Sequence, residues 1–334
     1  MCKVGVEMEQ WDILNEFRES TGKKWIRGDE MLKGDYHQVV HVWIMNAKGQ
    51  FLIQHRQPWK KGWPGMWDCA AAGAVLVGET SEMGAIRETK EELGVDLQMK
   101  HAEVIFTVKF SRGFDDHWLV KQEIIMEQLH LQYEEVADAK WATVDEIIEL
   151  VKSGDFIPYH ILESLFEISK SSISLRKAIL SDAVELFAMQ KKVFQPIYEK
   201  YQDHDTSPVF QTFERFNERL QAGDFFKIYD QGFLVGSVHV FPKSPGIMRL
   251  HMINILEEFQ GKGIAQEVMS RLEGMYPQAI KWELDTIKQE QRNCYLYEKM
   301  GYVETGDEWK INEQMTIIHY TKLIGFNHLS PNSL

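Results

Sequence analysis

Cysteine is scarce in this 334-residue chain: Cys2, Cys69 and Cys294 stand far apart, with no C-x-x-C pair. That argues against a disulfide framework and against a cysteine-ligated zinc site. Long apolar runs are missing too; none approaches the ~20 residues needed to cross a bilayer. No internal repeat or low-complexity tract marks a solenoid or a propeller. Positive charge is in deficit, with 37 Lys and Arg against 50 Asp and Glu for a net charge of −13. Nucleic-acid polymers and anionic membranes are bound by neutralising phosphates, so neither is expected as a partner. Small phosphorylated ligands stay open, because a divalent cation screens the repulsion. The polar, acidic stretch Met1–Trp11 does not read as a secretory signal, and a cytoplasmic chain is the expectation.

What is present suffices for ordinary cores: 44% of the residues are apolar and 12% aromatic. At about 150 residues per domain, the length implies two domains. The Ser/Lys-rich stretch 169–174 reads as a linker between a first domain (1–168) and a second (175–334). In the first, strand-like runs at 36–45 and 50–54 flank the turn signal Asn46-Ala47-Lys48-Gly49 and predict a hairpin. Thr80 or Ser81 caps a helix to Leu93, with Gly94 as its stop. Strands are expected over 103–110 and 117–126, and helices from about 144 and over 158–168. In the second, Asp182 caps a helix reaching about Tyr198, and another spans 210–221. Strands at 225–229, 232–241, 248–256 and 280–286 follow, with helices after residue 264 and over 293–300. One closing strand is expected over 309–320. Strands alternating with helices in both halves predict the α/β class.

The most informative segment runs from Gly73 to Val95. On a helix, Glu88, Glu91 and Glu92 stand at i, i+3 and i+4 and share a face, while Ala85, Ile86, Thr89 and Leu93 take the side toward a sheet. Like charges so spaced cost roughly 0.2–0.5 kcal/mol per pair. Hard Mg²⁺ or Mn²⁺, which prefers carboxylate and carbonyl oxygens, offsets that cost. A solvated acidic face is the ordinary reading of Glu-Glu alone. Here the longer pattern G-x5-E-x7-R-E-U-x-E-E-x-G-U (U bulky and apolar) is filled at every fixed position, with Thr89 a mild departure at the first U.

That segment resembles the Nudix box, and residues 7–168 resemble a Nudix hydrolase. The runs Tyr36-His37-Gln38-Val39-Val40 and Pro64-Gly65-Met66-Trp67-Asp68 look like the branch related to isopentenyl-diphosphate isomerase. The resemblance implies an α/β/α sandwich. It implies Glu91 and Glu92 as metal ligands with the Gly73 carbonyl, and Glu88 as a further ligand or the base for water. Arg87 would orient the loop through Glu79, unless Glu79 itself reaches the ion. The implied reaction is metal-dependent hydrolysis of a nucleoside diphosphate linked to another group. Glu123, Glu134 and Glu135 are candidates for a further acid, and Arg56, Lys60, Lys61 and Trp63 for holding phosphate or base. The three glutamates read more readily as solvated surface, and the other four equally as surface. Cys69 raises the isomerase as an alternative, since that enzyme uses a Cys and a Glu. The Ser-His that follows its Cys is Ala70-Ala71-Ala72 here, and a lone Cys in an apolar strand is usually core.

In the second half, Gln260-Gly261-Lys262-Gly263-Ile264-Ala265 joins a strand to a helix. Glycines let backbone amides approach an anion, and a helix N-terminus favours phosphate. A glycine pair alone also merely caps helices. The form Q/R-x-x-G-x-G/A, followed by Tyr297-Glu298-Lys299-Met300-Gly301-Tyr302, resembles the GNAT N-acetyltransferases over residues 173–323, a mixed-sheet α/β domain. The resemblance implies that 260–265 cradle the pyrophosphate of acetyl-CoA and that pantetheine pairs near Ile255. Tyr297 would protonate the departing thiolate; simple helix packing is its other reading. Many members carry Asn seven residues before this Tyr, where Glu290 stands here, and Asn293 could serve instead. Glu257, Glu258, Glu283, Asp285, His239 and His251 compete for the amine's proton, none singled out. The expectation is a bifunctional enzyme with an unknown amine acceptor. The alternative is that one domain binds its ligand without turnover; oligomeric state stays open.

Overall fold

The computed structural model describes residues 9–324, so Cys2 and most of Met1–Trp11 lie outside it. In the first unit (9–171), β1 (Gln10–Leu14) and β2 (Ser20–Ile26) form a separate antiparallel hairpin. The main sheet contains β3 (His37–Met45), β4 (Phe51–Arg56), β5 (Trp67–Asp68), β6 (Ala71–Ala74), β7 (Ala102–Phe110), β8 (Gly113–Lys121) and β9 (Val136–Ala142). Its order is β5-β4-β3-β8-β7, with β6 on β3 and β9 on β4. The helices are α1 (Ser81–Leu93), α2 (Val144–Ser153) and α3 (Leu162–Lys170). Because successive strand residues face opposite ways, central β3 feeds two cores. Val40, Val42 and Ile44 pack with Ala85 and Leu93 of α1. Trp43 packs instead with Ile147 of α2 and with Leu165 and Phe166 of α3. The result is an α/β/α sandwich.

The expected caps of α1 form: the Thr80 hydroxyl accepts from the Met83 amide, and Gly94 is left-handed at φ 72°. Thr89 is buried on the sheet side, its hydroxyl donating to the Ala85 carbonyl at 2.8 Å, a back-bond that satisfies a polar group in a helix. The strand expected over 117–126 instead begins at Gly113 and ends at Lys121, because residues 111–112 close a tight hairpin with β7. A Cβ on Gly113 would lie 2.4 Å from the His37 carbonyl, so only glycine allows the parallel β3–β8 pairing to start there. The helix expected over 158–168 starts later, at Leu162, and continues to Lys170.

The second unit holds the bulk of residues 172–324. Its elements are β10 (Ile173–Lys177), α4 (Ala183–Tyr201), α5 (Phe213–Ala222), β11 (Asp224–Asp230), β12 (Phe233–Ser244) and β13 (Ile247–Ile255), then α6 (Ile264–Met275), β14 (Lys281–Ile287), α7 (Gln291–Lys299), β15 (Val303–Lys310) and β16 (Thr316–Leu323). Seven strands form one sheet, β10-β11-β12-β13-β14-β16-β15. Only β13 and β14 run parallel, and their ladder covers 247–249 against 281–283 alone. Beyond Arg249 the two strands part, which leaves one edge of β13 open to a ligand.

Two expectations change. Asp182 does not cap α4 with its side chain; its carboxylate accepts from the Ile179 amide and pairs with Lys227, both at 2.9 Å. The single closing strand over 309–320 is two strands, β15 and β16, because the chain turns back where the Ile311 amide donates to the Met315 carbonyl. No helix among the described residues is long and apolar enough to cross a membrane.

Candidate active sites

The loop from β6 to α1 is organised by one arginine. Arg87 donates twice to Glu79 (Nε 2.8 Å, Nη2 3.0 Å), once to the Ala74 carbonyl (2.8 Å), and through Nη1 to Glu88 (2.8 Å) and Glu91 (3.1 Å). Glu79 also accepts from the Leu76 amide at 2.9 Å, so of its two sequence readings the pairing with Arg87 is the one that forms. Burial would raise the Glu79 carboxyl, but the Arg87 bonds hold it below its ordinary value.

The three glutamates are not equivalent. Glu92 is 4% exposed, and its Oε2 accepts from Gln54 (2.8 Å) and the Ala72 amide (3.3 Å). Burial, then the Glu88 charge, pushes its carboxyl up to about 8. Burial also lifts Glu88, to about 7, against the pull of Arg87. Glu91 is exposed and bonded to Arg87. Glu92 therefore faces the sheet side, whereas Ile86, expected there, is exposed. Two crowded carboxylates lifted toward neutrality by burial are the donor set that a hard divalent cation relieves. Buried Gln54 Oε1, beside Glu92, has no hydrogen-bond partner. These residues fit Mg²⁺ or Mn²⁺.

Gly73 matters for space rather than for dihedral freedom. A Cβ built there would lie 2.1 Å from the Glu88 carboxyl carbon. Since that carboxylate ends a flexible side chain, Gly73→Ala should displace it while costing less than about 1 kcal/mol of stability. The expected result is at least a ~100-fold loss of hydrolysis with a nearly unchanged urea midpoint. Equal kinetics would show that Glu88 need not lie against Gly73.

Among the flanking candidates, Lys60 pairs with Glu135, and its ammonium pKa is lowered by burial and Arg56 while Glu92 and Glu88 oppose. Arg56 bonds Asp68 at 3.0 Å. Glu123 accepts from the Ala47 amide at the β3–β4 turn, and Glu134 contributes its backbone carbonyl to Trp59. Lys61 and Trp63 are exposed. Cys69 is fully buried, donates to the Ala71 carbonyl, and burial pushes its thiol well up. It is a core thiol, not an available thiolate.

A polar cluster that no motif marks lies against β3. His41 Nδ1 lies 2.7 Å and His117 Nε2 3.2 Å from the two oxygens of Asp115, and Trp43 Nε1 donates to His117 Nδ1 at 3.1 Å. Since His117 Nδ1 accepts, its Nε2 carries the proton that goes to Asp115. These groups are near enough to share a metal ion, yet they already satisfy one another. Parallel pairing of β3 with β8 puts His41 beside His117, a relation no local pattern reveals. Burial would raise Asp115, but His117 and His41 hold it far below the carboxylate range. Burial would lower His41, but Asp115 raises it overall. Asp115→Asn should cost about 3 kcal/mol, the typical penalty for breaking a buried pair. The Asp115 contribution is present above about pH 4, and that of His41 is complete below about pH 6.5 and fades above it. The loss, read by urea unfolding, should therefore peak between those values; a pH-independent loss would contradict the pairing.

In the second unit a cavity of about 1010 Å³ opens where β13 and β14 part. Ile255, Gln260, Gly261, Gly263, Ile264, Ala265, Asn293 and Tyr297 all line it. Lys262 does not; its ammonium lies over the Phe259 ring at 4.7 Å. Gly261 and Gly263 take positive φ (78° and 84°), the left-handed region that glycine enters without strain. Gln260 Nε2 ties the loop to the Ile255 carbonyl at 2.9 Å, and α6 starts directly after Gly263. Glu290 pairs with Lys200 and accepts from the Tyr201 hydroxyl, both at 2.7 Å. Tyr297 is buried at the cavity wall, and burial, then Cys294, pushes its phenol to about 12. Of the proton-acceptor candidates, Glu283 is held by Lys243 and Lys281, and Asp285 by Arg249 and His319. Glu258 pairs loosely with Lys192.

Residues 35–165 match the NUDIX domain family, and residues 181–324 match the acetyltransferase (GNAT) domain family. An uncharacterized Nudix hydrolase of Listeria monocytogenes is 48% identical over 165 residues, 49% of this chain and 98% of that one. The chain belongs to the Nudix family and carries a GNAT acetyltransferase domain. The Nudix half is also similar to isopentenyl-diphosphate Delta-isomerase of Citrobacter koseri, at 26% identity over 38% of this chain and 75% of that one. A solved structure of spermidine N-acetyltransferase from Vibrio cholerae, in complex with CoA and spermine, matches 46% of this chain and 95% of its own at 21% identity, TM-score 0.38. The Nudix–GNAT chain thus joins a hydrolase to an acetyltransferase.

Proposed function

We propose that the Nudix–GNAT protein hydrolyses a nucleoside diphosphate bearing a second group, and transfers acetyl from acetyl-CoA to an amine, in the cytoplasm. The packing of the Glu88 carboxylate against the bare backbone of Gly73, with Glu92 buried beside it, carries the first half of this reading. Glu92, Glu91 and the Gly73 carbonyl would hold Mg²⁺ or Mn²⁺, with Glu88 as a further ligand or as the base for water. When bound, the ion shields the diphosphate charges and lowers the pKa of water. Arg87 and Glu79 keep the loop in register with α1. The core placement of Cys69 favours hydrolysis over the isomerase-like alternative.

The opening between β13 and β14 supports the second half. The free edge of β13 suits an extended pantetheine, as strand-like ligands add to open sheet edges. The amides after Gly261 and Gly263 suit a pyrophosphate at a helix N-terminus. Tyr297 would give its proton to the departing thiolate. The test has two arms on the full chain: phosphate or nucleotide release from a panel of nucleoside diphosphate derivatives with Mg²⁺, and calorimetric titration with acetyl-CoA. Metal-dependent turnover and saturable acetyl-CoA binding are expected. A folded protein that turns over no diphosphate contradicts the first half. One that binds no acetyl-CoA, or binds it equally after Gly263→Asp, contradicts the second.

A further inference from the structure

Beside the β13 wall of the second cavity lies a polar cluster built around one guanidinium, Arg219, that no carboxylate bonds; of its members His251 lines the cavity. Arg219 of α5 is half-buried: Nη1 is 3.3 Å from His251 Nε2, Nη2 donates to Gln190 Oε1, and buried Nε has no partner. Fully buried Gln190 is turned to present that oxygen, because its amide nitrogen donates to Gln211 (2.8 Å) and to the Pro208 carbonyl (3.2 Å). His251 lines the cavity beside Arg249. Next to it, His239 of β12 is 3% exposed, stacked on Phe225 (5.4 Å, 23°) and edge-on to His251 (5.4 Å, 88°). Neither of its ring nitrogens has a partner.

The carboxylates near this cluster are already engaged. Asp285 is held by Arg249 and His319, and Asp224 by Lys177. Among the described residues, no carboxylate bonds Arg219, His239 or His251. The electrostatics agree. Burial, then Arg215, lowers Arg219 to about 10. Burial, then His251 and Arg219, lowers His239 to about 3, against the pull of Asp224; desolvation, then Arg219 and Arg249, lowers His251, an exposed residue, against the pull of Asp285. A guanidinium partly withdrawn from water without an anion carries a cost, and a buried imidazole whose N–H has no acceptor adds to it. Both costs disappear when an anion enters.

We propose that Arg219 and His239, reached through His251 at the β13 wall of the acetyltransferase cavity, form an anion subsite with it, and that the acceptor is an amine carrying a carboxylate. The inference rests on the acetyl-transfer reading above. A carboxylate is favoured over a phosphate by charge: Arg219 supplies one fixed positive charge, which a carboxylate matches and a near-dianionic phosphate exceeds. The planar guanidinium fork with its free Nε–H also fits the two oxygens of a carboxylate. The same chemistry disfavours polycationic amines, whose extra charge would meet Arg219.

The test uses the full chain saturated with CoA, and CoA binding is measured first by calorimetry. Acetate and inorganic phosphate are then titrated separately, while the imidazole C–H resonances of His239 and His251 are followed by NMR, assigned with H239Q and H251Q. Acetate should shift both resonances saturably, and phosphate more weakly. R219Q should weaken the acetate response at least about tenfold, in line with loss of a charged hydrogen bond, and R219K should recover part of it. CoA affinity should be unchanged in both variants, which also reports that they fold. Absence of any saturable acetate response, an equal response in R219Q and R219K, or a stronger phosphate response overturns the carboxylate site. Failure of CoA to bind overturns the acetyltransferase reading instead, so the two failures are distinct.

Discussion

Glu92→Gln is expected to lower kcat for diphosphate hydrolysis by about a thousandfold while leaving the melting temperature unchanged or higher. The size follows from removing a preorganised charge at the reacting centre, which typically costs ~10²–10³ in kcat. The direction of the stability change follows from burial. Glu92 is almost fully enclosed and next to Glu88, so ionising it at neutral pH is costly in the absence of a cation. A glutamine of the same shape removes that repulsion and keeps an oxygen for Gln54 and the Ala72 amide. Steady-state kinetics with saturating Mg²⁺, beside a thermal melt without metal, read both effects. A variant that melts several degrees lower with near-normal kcat would make Glu92 a structural residue.

Tyr297→Phe should reduce kcat for acetyl transfer by ~10²–10⁴-fold, the range for loss of a general acid. The dissociation constant for acetyl-CoA should not change, because the ring stays. At about 12, the phenol keeps its proton through the physiological range, so no ionisation of this residue should appear in the pH–rate profile below about pH 10. Stability should fall by no more than about 1 kcal/mol, as the ring keeps its buried contacts with Tyr302 and Tyr320 and only the hydroxyl's bond to Thr286 is lost. Retained kcat would leave Tyr297 as a packing residue and require another proton donor.

Much of the first site was legible because its determinants are local. Gly73, Glu79, Arg87 and the glutamates lie within one loop and one helix, so spacing alone groups them. Spacing could not show that Glu92 is buried and Glu91 exposed, because that depends on how α1 is rotated against β3. The β1–β2 hairpin went unseen because Ser20–Ile26 is largely exposed and polar, with no apolar period to mark it. The division of 309–320 into two strands depended on a turn without Gly or Pro. Long-range contacts were the real limit. The His41–Asp115–His117 cluster and the Arg219–His251–His239 cluster each join residues from separate elements, and single histidines carry no local signature.

The central claim is that Glu88, Glu91 and Glu92 form a divalent-metal site that does chemistry on a diphosphate. Calorimetric titration of Mn²⁺ into the full chain tests it most directly, comparing wild type, Glu88→Gln/Glu92→Gln and Tyr297→Phe. Saturable binding should occur in wild type and in Tyr297→Phe and be lost in the double variant, with proton release as the lifted carboxyls ionise. Equal Mn²⁺ binding in the double variant, or none in the wild type, would contradict it.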